Sequence, residues 1–155
     1  VAACKHPPLG HRSVAGTGPA LGYRSLPMKD INDQANARSM LILMLETPQA
    51  IERAGDIAAV PGFDVLLIGS NDLCAEMGIP GQLGHQRLLD AQQAVADACK
   101  KHGKVFGSAG LSSNFDTQAA VIRMGARFVM TGSDVTYLAA GAKADSAKLR
   151  GVLPT

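Results

Sequence analysis

Strand-length apolar runs, each followed by a helical segment, constrain this chain more than any other feature. "MLILML" (residues 40–45) and "VLLIG" (65–69) show no polar alternation. A strand with one wet face alternates apolar and polar residues, so an unbroken run implies burial on both faces. After the first run, Thr47 suits a helix N-cap and Pro48 the first helical position. The helix expected over residues 48–60 sets Ile51, Ala54, Ile57 and Ala58 on one face. "PGFD" then turns the chain into the second run, and "NDLCAEMG" reads as a short helical turn. A longer helix over about residues 85–102 turns Leu88, Leu89, Val95, Ala98 and Cys99 inward and stops at Gly103. "KVFGSAG" (104–110) is a third, weaker strand and "NFDTQAAVIRMG" (114–125) a helix. "RFVMTG" (127–132) is a fourth strand, and residues 135–150 form a last helix.

Four strand–helix units in succession predict the α/β class, with a parallel sheet and helices packed outside it. A barrel and an open doubly wound sheet both satisfy the pattern. Neither GxGxxG nor GxxxxGK[ST] occurs, so dinucleotide and P-loop readings have no support. Residues 1–40 behave differently. Pro7, Pro8, Pro19 and Pro27, with Gly10, Gly16, Gly18 and Gly22, break helices and strands alike. They predict a long loop, of the kind that is commonly functional, followed by a short helix at about residues 28–37. The opening "VAACKHPP" reads as a helix end running into that loop, so further sequence is expected upstream.

The 155 residues suffice for one domain, and 46% hydrophobic against 18% charged residues makes it globular. The net charge of +2 is spread without any Lys/Arg cluster, and aromatics are 4% with no Trp, so nucleic acid is not an expected partner. Cys4, Cys74 and Cys99 are odd in number and form no CxxC pair. That argues against a disulfide framework or structural zinc and for reduced thiols in the cytoplasm. The apolar runs are too short to span a membrane.

Ligands of parallel α/β folds collect at the carboxyl ends of the strands. Glu46, Asp72 and Asp134 stand there. Glu46 and Asp72 end consecutive strands, and neighbouring strands lie about 4.8 Å apart. The two carboxylates can therefore share one hard cation, Mg²⁺ or Mn²⁺, with water and substrate oxygens filling the shell. An equally simple reading makes Asp72 an N-cap and Glu46 a solvated strand end, and the pattern alone leaves both open. Asp134 reads as a helix cap. Gly69 permits close approach, and N–H groups at the following helix start attract anions. His102 reads as a helix-end cap, His85 as a surface residue, and His6 and His11 as loop residues. Lys104 begins a strand at the opposite end from these acids.

"PPLGHRSVAGTGPALGYR", "LETPQAI", "AAVPGFDVLLIGSNDLCAEMGIPGQ" and "GARFVMTGSD", in this order, together resemble the HpcH/HpaI aldolase/citrate lyase family. "ETP" and "IGSNDL" at this separation are specific as a pair. The resemblance implies a (β/α)8 TIM barrel, of which this chain covers about strands 5–8 as a single domain over residues 1–155. Residues 1–40 would be an active-site loop region and residues 41–150 the four strand–helix units. It implies a class II aldolase, a carbon–carbon lyase that reversibly cleaves a 4-hydroxy-2-oxo acid to pyruvate and an aldehyde. Glu46 and Asp72 would hold a divalent metal, Mg²⁺ or Mn²⁺ with Co²⁺ a further candidate, which stabilises the enolate formed on cleavage. Gly69, Ser70, Asn71 and Asp72 would receive the substrate carboxylate. The resemblance also implies a homo-oligomer.

Two departures bear on these implications. Many members carry Gln two residues before the metal Glu, where this chain has Met44, which makes the pocket less polar. Many read GPAD where this chain has "GSND". The family's catalytic His base matches none of the four histidines, so it is expected outside this chain, and the chain alone is expected to turn over poorly. Two other readings stand beside the aldolase. One is a citrate-lyase-like or malyl-coenzyme-A-like thioester lyase. The other is a catalytically silent half that serves in assembly, for which the apolar last helix is a candidate surface, although packing on its own barrel explains that helix equally well.

Overall fold

Every strand among the described residues enters one parallel sheet, in the order β1-β2-β3-β4. The computed structural model describes residues 1–152 apart from 15, 17 and 113. The strands are β1 (Ile42–Leu45), β2 (Val65–Gly69), β3 (Val105–Ala109) and β4 (Phe128–Val129). Helix α1 (Met28–Arg38) precedes them. Between them lie α2 (Pro48–Glu52), α3 (Ala54–Ala59), α4 (Ser70–Glu76), α5 (Gln86–His102) and α6 (Phe115–Arg123), and α7 (Asp134–Arg150) follows. A single 3₁₀ turn, Pro19–Leu21, interrupts the Pro/Gly-rich loop.

The register pairs Leu45 with Ile68 and Gly69 with Ala109, so the strand ends finish level with one another. Alternation along the strands separates two faces. Leu45, Leu66, Ile68 and Phe106 turn toward the helices and join Leu73, Leu88, Val95, Cys99 and Val121 in the core. Val65, Leu67, Gly107 and Ala109 lie on the other face. All five residues of β2 are buried, as its unbroken apolar run predicts. Each fully buried Val, Leu or Ile contributes about 1.5–3 kcal/mol. The start of the sheet is tied by Asp64, whose Oδ2 accepts the Leu41 N–H at 2.7 Å.

Gly107 is required by this packing. A Cβ there would lie 2.9 Å from Leu67 Cδ1 and 2.9 Å from the Phe128 carbonyl oxygen. The carbonyl belongs to the neighbouring strand and cannot rotate away. Gly107→Ala should therefore destabilise the protein by about 1–3 kcal/mol, the usual cost of overpacking. The measurement is a denaturant midpoint that falls at unchanged slope.

Several elements differ from expectation. The single helix expected over residues 48–60 is two, because Arg53 takes φ −99°, ψ 12° between them. β4 is two residues long rather than six: it has only β3 as a neighbour, and its ladder runs from Gly107–Phe128 to Ser108–Val129. Asp134 does not cap α7. Ser133 does, accepting the Thr136 N–H at 3.3 Å, and Asp134 is the first helical residue. Its charge still complements the positive end of the helix. The C-cap of α5 is Gly103, in the left-handed conformation with φ 65°, and its N–H bonds Cys99 O. His102 lies inside the last turn and is not the cap. Helix α7 buries no residue and leaves Val135, Leu138 and Leu149 exposed. Among the described residues no helix is long and apolar enough to cross a membrane.

Candidate metal centre

Two local devices bring Glu46 and Asp72 together. At the end of β1, Thr47 caps α2, its hydroxyl oxygen accepting the Ala50 N–H at 3.2 Å, with Pro48 at the first helical position. This cap fixes the turn immediately after Glu46. At the end of β2 the chain passes directly from Gly69 into α4, whose first turn contains Asp72. No side chain caps α4, and Gly69 occupies the N-cap position. The reading of Asp72 as an N-cap is thereby excluded: its carboxylate is not spent on the helix start.

Continuing the β1–β2 register by one step sets Glu46 beside Gly69. The contact is close. A Cβ on Gly69 would lie 2.7 Å from Glu46 Oε1 and 2.8 Å from Glu46 Cγ. The glutamate side chain thus lies across the one position of the turn that lacks a side chain. The Asp72 carboxyl is within hydrogen-bonding reach of the Glu46 carboxyl. Burial, then the hydrogen bond to Asp72, then its negative charge hold the Glu46 carboxyl above its ordinary value of 4.5.

The sign of this shift gives a pH prediction. An acid whose value is raised by folding binds its proton more tightly in the folded state. Its stabilising contribution is complete below the unfolded value and is lost as pH rises through the folded one. The metal-free protein should therefore lose stability above about pH 4.5, and Glu46→Gln should remove that loss. Affinity for a divalent ion runs the other way and weakens as Glu46 takes its proton. Thermal midpoints and Mn²⁺ titrations across this range measure the two trends.

The donor set fits a hard divalent ion. Two carboxylates crowded together, with the Glu46 carboxyl held above its ordinary value, are a site that a cation relieves. Among the described residues no group of three or more His, Cys, Asp or Glu comes together. A two-carboxylate site leaves open positions for water and substrate, as Mg²⁺ and Mn²⁺ prefer.

The other expected residues divide. Asn71 is exposed beside Asp72 and is backed by Gly110, where a Cβ would lie 3.0 Å from Asn71 Nδ2. Gly110 takes φ 80°, a conformation that favours glycine. Ser70 is fully buried, and its hydroxyl accepts from Gln92 Nε2 at 3.1 Å. Its side chain therefore faces the helical layer, out of reach of a ligand at the strand ends. The first N–H groups of α4, at Ser70, Asn71 and Asp72, have no partner within the helix.

The remaining candidates stand elsewhere. His85 caps α5, its Nδ1 accepting the Arg87 N–H at 3.1 Å. The His6 backbone pairs with the Asn36 side chain, its N–H donating to Oδ1 at 2.8 Å, and His11 is exposed. Lys104 donates to the Phe63 carbonyl at 2.9 Å and lies 4.2 Å over the Phe63 ring, at the start of the sheet. Cys74 and Cys99 are buried and free, and burial pushes the Cys99 thiol up to about 11, which leaves it unreactive. Sequence reading missed Gln92 and Gly110. The signal for Gln92 is an amide at a core-facing helical position, between Leu88 and Val95.

The chain is 43% identical over 141 residues to a 4-hydroxy-4-methyl-2-oxoglutarate aldolase of Hapsidospora irregularis, covering 90% of this chain and 52% of that protein. It is 34% identical over 148 residues to a 4-hydroxy-2-oxo-heptane-1,7-dioate aldolase of Salmonella paratyphi C, covering 96% and 55%. The crystal structure of an HpcH/HpaI aldolase from Desulfitobacterium hafniense superposes with a TM-score of 0.80 at 26% identity, over 99% of this chain and 58% of that one. The chain thus spans about half the length of the curated relatives it matches. Its parallel strands and outer helices are part of a TIM-barrel fold. The family profile described as HpcH/HpaI aldolase/citrate lyase matches residues 1–140, and the chain belongs to that family.

Proposed function

We propose that this chain carries the metal-binding half of a class II aldolase, as strands five to eight of its barrel, and that the protein cleaves a 4-hydroxy-2-oxo acid to release pyruvate. The observation that carries this reading is the Glu46–Asp72 pair at the carboxyl ends of β1 and β2, with Glu46 lying over Gly69. Glu46 and Asp72 hold a divalent ion, Mg²⁺ or Mn²⁺. When bound, that ion acts as a Lewis acid, favouring the negative charge that develops on the keto oxygen as the bond between C3 and C4 breaks. The N–H groups of Asn71 and Asp72, in the first turn of α4, orient the substrate carboxylate. Gly69 keeps the turn low enough for Glu46 to reach across it.

Met44 lies two residues before Glu46, on the same face of β1, and is half exposed. It presents an apolar surface beside the carboxylates. Relatives named for 4-hydroxy-4-methyl-2-oxoglutarate are consistent with a substrate methylated at C4. Cleavage of that acid between C3 and C4 gives two molecules of pyruvate, so the accepting carbonyl in the reverse direction is a ketone. The proton-transfer base has no assignment among the residues described.

The test is pyruvate release from 4-hydroxy-4-methyl-2-oxoglutarate by the intact cellular protein. Chelator should abolish release, and Mn²⁺ or Mg²⁺ should restore it. Release that ignores chelator would overturn the metal role. Cleavage of an acyl thioester in place of the oxo acid would assign the protein to the citrate-lyase side of its family.

A further inference from the structure

Gln92 interrupts the buried face of α5, which otherwise consists of Leu88, Ala91, Val95, Ala96 and Cys99. The side chain is wholly buried, and its Nε2 donates to Ser70 Oγ at 3.1 Å and to Ser108 Oγ at 3.0 Å. Ser70 and Ser108 are themselves fully buried. The Gln92 Oε1 has no partner, although it is buried. A side chain serving only to fill this space would be apolar and would leave no orphaned carbonyl.

The two serines are well placed. Ser70 directly follows Gly69, across which Glu46 lies, and precedes Asp72 by two residues. Ser108 lies on β3 two residues before Gly110, whose backbone backs Asn71. One amide therefore clasps both strand ends from beneath, on the side away from the carboxylates.

We propose that Gln92 is a positioning residue for the candidate metal centre: by tying Ser70 to Ser108 it fixes the turn from Gly69 to Asp72 and so sets where Asp72 stands against Glu46. The link to metal rests on the aldolase reading above; the link to the turn does not. Gln92 touches neither the ion nor the substrate and acts through Ser70. Two measurements on the intact protein separate the possibilities.

In the metal-free protein, Gln92→Leu should accelerate amide hydrogen exchange several-fold across residues 69–73 while the rest of α5 and β2 stays protected. Unchanged exchange in that segment overturns the proposal. In a titration with Mn²⁺ alone, Gln92→Leu should weaken binding about tenfold, the usual range for a residue behind a metal ligand. Its thermal midpoint without metal should change little, because loss of the orphaned carbonyl offsets the two buried serine hydroxyls left without their donor. A Gln92→Leu affinity within twofold of the parent overturns the proposal. A parent protein that binds no Mn²⁺ overturns the metal reading instead and leaves the exchange result to decide. Should Gln92→Leu fail to fold, Ser70→Ala removes one arm of the clasp and carries the same two expectations.

Discussion

Asp72→Asn and Glu46→Gln should each weaken Mn²⁺ binding by a hundredfold or more in the intact protein. Even residues one layer behind a metal ligand cost about 10–100-fold when changed, and among the described residues no third His, Cys, Asp or Glu joins these two side chains. The same substitutions should leave the metal-free fold intact or firmer. Each removes a like-charge contact, one that together with burial and the Asp72 hydrogen bond holds the Glu46 carboxyl above its ordinary value. This opposite pair of effects is diagnostic. A carboxylate that merely capped a helix would lose stability on removal, about 1 kcal/mol, and would change no metal affinity. Calorimetric titration with Mn²⁺ and thermal unfolding without it, run on the same samples, separate the two.

Gly69→Ala should act almost as strongly on metal affinity while adding only a methyl group. The added Cβ would lie 2.7 Å from Glu46 Oε1 and 2.8 Å from its Cγ, so the glutamate must leave its position across the turn. The backbone itself does not object: Gly69 takes φ −85°, ψ 90°, which any residue adopts. What moves is a flexible side chain rather than neighbouring backbone, so the stability loss should stay below the about 1–3 kcal/mol of an overpacked site such as Gly107. A ligand displaced by about 1 Å costs on the order of a hundredfold in function. Affinity should therefore fall steeply with little change in unfolding midpoint. Gly107→Ala should show the reverse, a loss of stability that reaches the metal only through the unfolded fraction.

The features legible in the sequence are those set by local chemistry. The burial of β2 follows from five successive apolar or small residues, and the Thr47–Pro48 start of α2 from capping preferences. The closeness of Glu46 and Asp72 follows from parallel strands that each end in a turn. The hidden features depend on what the neighbouring element does. The break at Arg53 has no Gly or Pro at the position itself, so a helical periodicity reads straight through it. The two-residue length of β4 reflects its single paired edge, which no residue within the strand announces. Ser133 and Asp134 are both good caps, and one position in register decides between them. Ser70 reads as a ligand-facing residue by its place beside Asp72, yet alternation at the strand end turns its hydroxyl to Gln92. Only the sheet register reveals that.

The most direct measurement is the crystal structure of the intact protein soaked with Mn²⁺ and pyruvate, with anomalous scattering recorded at the manganese edge. One anomalous peak should appear within bonding distance of Glu46 and Asp72, with the pyruvate carboxylate at the start of α4. A peak elsewhere, or none at a concentration that saturates activity, would contradict the assignment of this pair as the metal centre.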